Sequence, residues 1–321
     1  MKDSSFQSAV DISVVVPCYN EEVALPSFYR EITRIFNQLE ENQRDITEEI
    51  LFVDDGSVDS TALVIKNLSQ KDRRVHYIIF SRNFGKEAAL LAGLQKAKGS
   101  YVVTMDADLQ DPPGLIPYML EAVRSGEFDC AGTQRITRKG EPLVRSFFAR
   151  RFYRIMARFT DIEVVDGARD FRLMSRLYVD AVLSFRERGR FSKGIFPWIG
   201  FKTKWFEYEN IQRTAGETKW SFWKLFLYSL DGIIAFSSKP LAIASVCGIF
   251  LFGLSIACII VIIIQKFLFN ASVEGWASTA CIMLFCSGIQ LFTTGILGQY
   301  LAKTYTEVKQ RPHYVVREER L

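Results

Sequence analysis

Three carboxylates, Asp106, Asp108 and Asp111, fall within six positions. The apolar run Tyr101–Met105 precedes them and reads as a short buried strand. On an extended backbone, side chains two apart leave the same face, so Asp106 and Asp108 are expected to point together. Paired hard oxygens at a strand end suit a divalent cation such as Mg²⁺ or Mn²⁺. Pro112 and Pro113 then stop the element. By itself the pattern also fits an acidic turn after a strand.

Three more polar clusters follow apolar runs in the same way. Asp11–Val16 is a β-branched run of the kind buried on both faces, and Pro17-Cys18-Tyr19-Asn20-Glu21-Glu22 comes after it. Glu49–Val53 reads as a second strand ending at Asp54-Asp55-Gly56-Ser57. Val75–Phe80 reads as a third, ending at Ser81-Arg82-Asn83-Phe84-Gly85-Lys86. Helical spacing over 23–39 and 86–98, and the capping segment Asp59-Ser60-Thr61, supply helices between them. The order β-α-β-α-β-α-β predicts an α/β fold with a mostly parallel sheet. Such sheets bind ligands beyond the carboxyl ends of their strands, so the four clusters are expected to share one pocket. Neither GxGxxG nor GxxxxGK[ST] follows any strand, which argues against a dinucleotide site and a P-loop.

Phe128–Gly132 is a candidate further strand, and 135–158 is strongly basic. It carries eight Arg and Lys against one acid, Glu141, with Phe147, Phe148, Phe152 and Phe159 interleaved. A basic amphipathic stretch of this kind suits membrane lipids or a lipid phosphate, and no nucleic-acid module accompanies it. The segment 166–173 is a second acidic cluster leading into a helix over 175–183. Residues 190–199 read as a loop, 205–210 as an edge strand, and 212–220 as a polar loop with Arg213 and Lys219 near its ends.

The chain has 321 residues, is 24% charged and carries a net charge of +4. The charge is unevenly placed. Residues 240–264 and 275–302 contain none, and each run is long enough to cross a bilayer. Lys219, Lys224 and Lys239 precede the first run, and Lys303, Lys309, Arg311 and Arg317 follow the second. The positive-inside rule therefore puts both termini in the cytoplasm, as a multi-pass protein of a bacterial inner membrane. The expected divisions are a catalytic domain over 1–218, an interfacial amphipathic helix over 219–239, a transmembrane hairpin over 240–302 and a cytoplasmic tail over 303–321. No signal peptide is evident. Four of the six cysteines lie in the two apolar runs, and none form CxxC. The two histidines are far apart, which leaves little for a histidine metal site or a Ser-His-Asp triad.

Five segments taken together, 17–22 (PCYNEE), 54–57 (DDGS), 83–93 (NFGKEAALLAG), 106–113 (DADLQDPP) and 213–220 (RTAGETKW), resemble the family 2 glycosyltransferases. The likeness is to the polyprenyl-phosphate branch, which includes dolichol-phosphate mannose synthases and bacterial undecaprenyl-phosphate glucosyltransferases. It implies a GT-A type domain, a nucleotide-diphosphate sugar donor, Mg²⁺ or Mn²⁺, and a polyprenyl phosphate acceptor. It also implies roles. Pro17, Tyr19, Asn20, Glu22, Asp54, Lys86, Asp106, Arg213 and Lys219 would bind the donor, with Asp54 near the base and Glu22 near the ribose. Asp106, Asp108 and Gln110 would hold the metal. Asp108, Asp170 and Arg135 would serve catalysis, and Arg138, Arg145 and Ser146 the lipid phosphate. Arg169 departs from the small residue expected before Asp170. The family further suggests a homo-oligomer, a tetramer.

The reaction implied is inverting transfer of a sugar, with UDP-glucose the first choice of donor. N-acetylglucosamine, galactose, mannose from GDP-mannose and formamido-arabinose are alternatives. A processive polysaccharide synthase would need a longer membrane channel and a QxxRW-type segment, and neither is present. A catalytically silent membrane subunit or flippase that binds lipid phosphate is the alternative of another class, and the intact DADLQ and GETKW segments argue against it.

Overall fold

Alternation along the first strand explains the layering of the sheet. In the computed structural model, β1 (Ile12–Cys18) sends Val14 and Val16 into one apolar layer. There they join Leu25, Phe28, Ile32 and Phe36 of helix α1 (Leu25–Asn42). Val15 faces the opposite way, toward α3 (Lys86–Lys96). A Cβ at Gly93 of α3 would lie 2.2 Å from Val15 Cγ1, so only glycine lets this helix settle so close to the strand. Burial on both faces is why these strands read as continuous apolar runs. The structure describes residues 10–42, 46–136, 165, 167–209, 234, 237–269 and 275–321.

The described residues form two units, one made of the sheet, its helices and residues 311–321, the other of the long helices ending at residue 310. The first unit is built on β1, β2 (Glu48–Asp54), β3 (Val75–Phe80), β4 (Tyr101–Thr104), β5 (Cys130–Arg135), β6 (Ala168–Ser175), β7 (Thr203–Tyr208) and β8 (Val316–Arg320). Their order across the sheet is β7-β5-β6-β4-β1-β2-β3-β8. Strands β1 to β4 pair in parallel, as predicted, and β5 and β7 run the same way. Strands β6 and β8 run against them. Helices α2 (Thr61–Lys71), α4 (Ile116–Arg124), α5 (Arg176–Ser184) and α6 (Ser192–Trp198) complete the unit's described helices, with a 3-10 turn at Pro113–Leu115.

Four expectations change. From Ala168 on, the acidic cluster at 166–173 is part of β6, a strand hidden by the charged residues Arg169, Asp170 and Arg172 that interrupt its apolar pattern. The loop expected over 190–199 contains helix α6. Strand β4 ends at Thr104, and Leu109 takes φ 54°, so Asp106 and Asp108 lie on a turn and strand alternation does not align them. The tail expected over 303–321 instead holds the end of a long helix and strand β8. Strand β8 pairs antiparallel with β3, and Glu318 takes hydrogen bonds from Lys66 (2.6 Å) and Tyr77 (2.8 Å). Tyr314 stacks on Phe80 with ring centroids 4.8 Å apart.

The second unit contains α7 (Lys239–Phe269) and α8 (Trp276–Lys309), which pack together. Both are long and apolar enough to cross a membrane, and large apolar side chains such as Phe250, Phe252, Leu291 and Phe292 are exposed on them. Tyr300 donates a hydrogen bond to the Ser237 carbonyl at 2.6 Å, which ties the residues before α7 to α8. The interfacial helix expected over 219–239 lies almost wholly outside the described residues.

Candidate active site

The carboxyl ends of β1, β2, β3 and β4 bring the four sequence clusters together. The first two interlock through hydrogen bonds. Asn20, at φ 56°, donates its N–H to Ser57 Oγ at 2.9 Å, and its Oδ1 accepts from the Val58 N–H at 3.0 Å. Asp54 is 1% exposed and accepts from the Ser57 N–H at 3.2 Å and from the Ser57 hydroxyl. Burial pushes its carboxyl up, against the Ser57 hydrogen bonds. Glu22 Oε2 accepts from the Ser60 N–H at 2.8 Å, which fixes the loop before α2. Tyr19 stands exposed at the end of β1. Pro17 pairs with Val53 inside the sheet.

Asp55 has a different task from its neighbour. Its carboxylate accepts from the Phe84 N–H at 2.6 Å and the Gly85 N–H at 2.9 Å, so it anchors the loop that opens α3. Gly56 sits at φ +65°, and a Cβ there would lie 2.4 Å from the Arg82 carbonyl carbon. The glycine is thus required for the second and third clusters to touch. Asp55 could have been found from the doubled aspartate of DDGS, but not its partner.

Lys86, the first residue of α3, is the centre of the site. Its Nζ lies 2.6 Å from Asp106 Oδ1 and 2.6 Å from Asp170 Oδ2. One ammonium therefore joins the end of β4 to β6. Burial acts to lower the Lys86 pKa, but the two carboxylates outweigh it and the net shift is upward. For Asp170 burial acts to raise the pKa, while Lys86 and then Lys193 pull it well below the usual carboxylate range. Thr104 Oγ1 donates to the Asp170 carbonyl at 2.7 Å, which fixes the backbone that carries the acid. Asp108 Oδ1 accepts from the Gln110 N–H at 3.2 Å, so the loop that bears both is closed on itself.

Asp111, the third acid of the segment, is removed from this centre. It is buried, and its Oδ1 takes Arg169 Nε at 3.1 Å and the Tyr208 hydroxyl. The departure noted at Arg169 therefore pairs with Asp111, on the β6 face opposite to Asp170. Glu87 was also unforeseen. Its carboxylate receives the Ser192 N–H at 3.0 Å and the Ser192 hydroxyl, and burial pushes its pKa up. That contact links α3 to α6 behind Lys86. Arg135 lies at the carboxyl end of β5, with its N–H on the Gly167 carbonyl at 3.0 Å. Arg138, Arg145, Ser146, Arg213 and Lys219 lie outside the described residues.

The donor set fits a divalent cation. Asp106 already draws a cation, the Lys86 ammonium, and the hard oxygen donors here are the Asp106 and Asp108 carboxylates and the Gln110 amide oxygen. Among the described residues no group of three or more His, Cys, Asp or Glu is placed to hold a metal alone. Mg²⁺ and Mn²⁺ commonly take one or two carboxylates and fill the remaining positions with substrate phosphates and water.

The mostly parallel α/β sheet with an acidic loop after β4 is a transferase domain of the GT-A type. The sequence pattern of glycosyl transferase family 2 matches residues 13–183, and the chain belongs to that family. It is 41% identical over 307 residues to "Putative glycosyltransferase CsbB" of Bacillus subtilis (strain 168), covering 96% of this chain and 91% of that protein. It is 38% identical over 307 residues to the SfII prophage-derived bactoprenol glucosyl transferase of Shigella flexneri, covering 96% and 97%. Among solved structures it resembles glucosyl-3-phosphoglycerate synthase from Mycobacterium tuberculosis in complex with Mn²⁺, UDP-glucose and phosphoglyceric acid. That likeness has a TM-score of 0.45 and 18% identity over 70% of this chain and 78% of that one.

Proposed function

We propose that this protein transfers a sugar from a nucleotide-diphosphate sugar, UDP-glucose in the first instance, to the phosphate of a polyprenyl lipid. The observation that carries the reading is the Lys86 bridge between Asp106 and Asp170, set beside the Asp108–Gln110 loop in a family 2 domain. Likeness to a bactoprenol glucosyl transferase over nearly the whole chain supports the lipid acceptor. The two long apolar helices support a membrane setting.

The nucleoside would lie over the interlocked β1 and β2 loops, against Pro17, Tyr19, Asn20, Glu22 and Asp54. Asp106, Asp108 and Gln110 would hold Mg²⁺ or Mn²⁺, which supplies charge stabilisation to the departing diphosphate. Lys86, Arg135, Arg213 and Lys219 would add charge-assisted hydrogen bonds to that diphosphate. A lipid phosphate oxygen attacks the anomeric carbon as the carbon–oxygen bond to the diphosphate breaks, and the nucleotide leaves with the bonding pair. Attack from the opposite face inverts the centre. The phosphate nucleophile is already ionised near neutral pH, so no strong base is needed. Asp170, ionised and paired with Lys86, then orients groups and does not abstract a proton. Arg138, Arg145 and Ser146 are proposed for the acceptor.

Topology supports a hairpin with its two ends on one face, and the Lys and Arg residues flanking the apolar runs support the cytoplasmic face. The unit that holds the sheet includes both residues 167–209 and residues 311–321, so the chain leaves it and returns to it. An even number of crossings satisfies that arrangement. A homo-oligomer, with a tetramer as the family suggests, belongs to the same proposal.

The deciding experiment incubates the purified protein with polyprenyl phosphate, Mn²⁺ and a panel of nucleotide sugars, followed by mass spectrometry of the lipid fraction. A lipid-linked monosaccharide from one donor is expected. Donor hydrolysis with no lipid product would refute the reading.

A further inference from the structure

A cavity of about 300 Å³ is walled by β6, α6 and β7. Three cations line it, Arg169, Arg172 and Lys193, together with the rings of Phe196, Phe201 and Trp205. Trp205 packs closely on β5 because residue 132 is glycine. A Cβ at Gly132 would sit 2.8 Å from that ring.

Arg172 is the informative residue. It is 5% exposed, and its guanidinium carbon lies 4.7 Å from the Phe196 ring centroid and 5.0 Å from that of Trp205. No ion pair among the described residues includes it. Its Nε is buried and has no hydrogen-bond partner, although the guanidinium also interacts with the buried Cys130 thiol, which is not a counter-ion. The neighbouring acids are engaged elsewhere, Asp111 with Arg169 and Tyr208, and Asp170 with Lys86. A buried cation with no counter-ion is unfavourable unless something supplies the charge. The two rings stabilise the cation in part. Its edge, where the N–H groups project, is the part that binds oxyanions in plane.

We propose that this cavity is an oxyanion site that receives a phosphate group, with the Arg172 edge as the fork, Lys193 as a second charge, and the aromatic walls against an apolar chain carried by that phosphate. The inference rests on the lipid-phosphate transfer proposed above, in which the phosphate is the acceptor's. Sheet order agrees with it. Strand β6 lies on the side of β4 away from β1 and β2, so the cavity and the nucleoside loops are on opposite sides of the Asp106–Lys86–Asp170 bridge. Lys193, which lines the cavity, is also close enough to Asp170 to lower its pKa.

Binding, not turnover, tests this. The full chain in detergent is titrated by calorimetry with farnesyl phosphate, with inorganic phosphate and, separately, with UDP in the presence of Mn²⁺. Arg172→Lys and Lys193→Gln are each expected to weaken farnesyl phosphate at least tenfold and to leave UDP within twofold. A parallel loss for inorganic phosphate supports the oxyanion site with the free ion as its source, and a loss confined to farnesyl phosphate identifies the lipid as the source. Unchanged farnesyl phosphate binding in both variants, or an equal loss of UDP binding, overturns the proposal. Lys193 is only half-buried, so its variant carries the test if Arg172→Lys fails to fold. Failure of the lipid-product assay with Arg172-dependent phosphate binding intact would count against the transfer reading alone.

Discussion

Lys86 stands between two acids. With its ammonium 2.6 Å from each, neither Asp106 nor Asp170 faces the other's charge uncompensated. Lys86→Met removes that compensation while keeping most of the side chain's length. Transfer is expected to fall by about 10²–10³-fold, the usual effect of losing one preorganised donor. The pH profile distinguishes this from a packing defect. In the wild type, Lys86 and Lys193 hold Asp170 well below the usual carboxylate range, so it stays ionised as pH falls. In Lys86→Met the Asp170 pKa moves up, and an acid limb should appear above the ordinary carboxylate value of about 4. An unchanged acid limb would show that Lys86 does not control Asp170. Asp108→Ala is expected to abolish the stimulation of transfer by Mn²⁺, and a variant still stimulated as strongly as the wild type removes Asp108 from the metal set.

At the scale of elements, β2 carries a pH-dependent weakness. Glu48, its first residue, is 7% exposed, and burial and then the Glu40 carboxylate push its pKa up to about 7. The folded state thus keeps a proton that the unfolded chain releases near pH 4 to 5, and stability falls as pH rises from about 5 through 7. Glu48→Gln should raise the Tm at pH 8, by the equivalent of about 1–3 kcal/mol, and change it little at pH 5. Equal Tm differences at both pH values would refute the assignment. Gly93→Ala tests the contact between α3 and β1. Overpacking against Val15 should cost about 1–3 kcal/mol in denaturant unfolding. These central elements were legible in the sequence because both faces of β1 to β3 are apolar and their helices keep a clear period. Strand β6 was not legible, because the side chains that serve the site, Asp170 and Arg172, interrupt the pattern that would announce a strand. The same holds for the site. The acids and Lys86 could be named from motifs, whereas the pairing of Lys86 with Asp106 and Asp170, of Arg169 with Asp111, and of Glu87 with Ser192 joins residues distant in sequence.

At the scale of the whole molecule, the return of the chain to its first unit is the feature with the widest reach. Strand β8 closes the β3 edge of the sheet, and its side chains reach Lys66, Tyr77 and Lys96. An uncovered β3 would be an open parallel edge, prone to pair with other chains. Truncation after Gln310 is therefore expected to lower the Tm and to promote concentration-dependent aggregation, measured by light scattering. Topology makes a second demand on the same segment. The chain leaves the first unit before α7 and re-enters it after α8, so the start of α7 and the end of α8 must lie on one side of any membrane that both helices cross. A tag inserted in 270–274 should then be accessible only from the face opposite to a tag at residue 321. Spheroplasts permit the comparison directly, with impermeant reagent outside and lysis as the control. Access to both tags from the same face would exclude a membrane-crossing hairpin, and the proposed lipid-phosphate transfer would then need another means of reaching the bilayer.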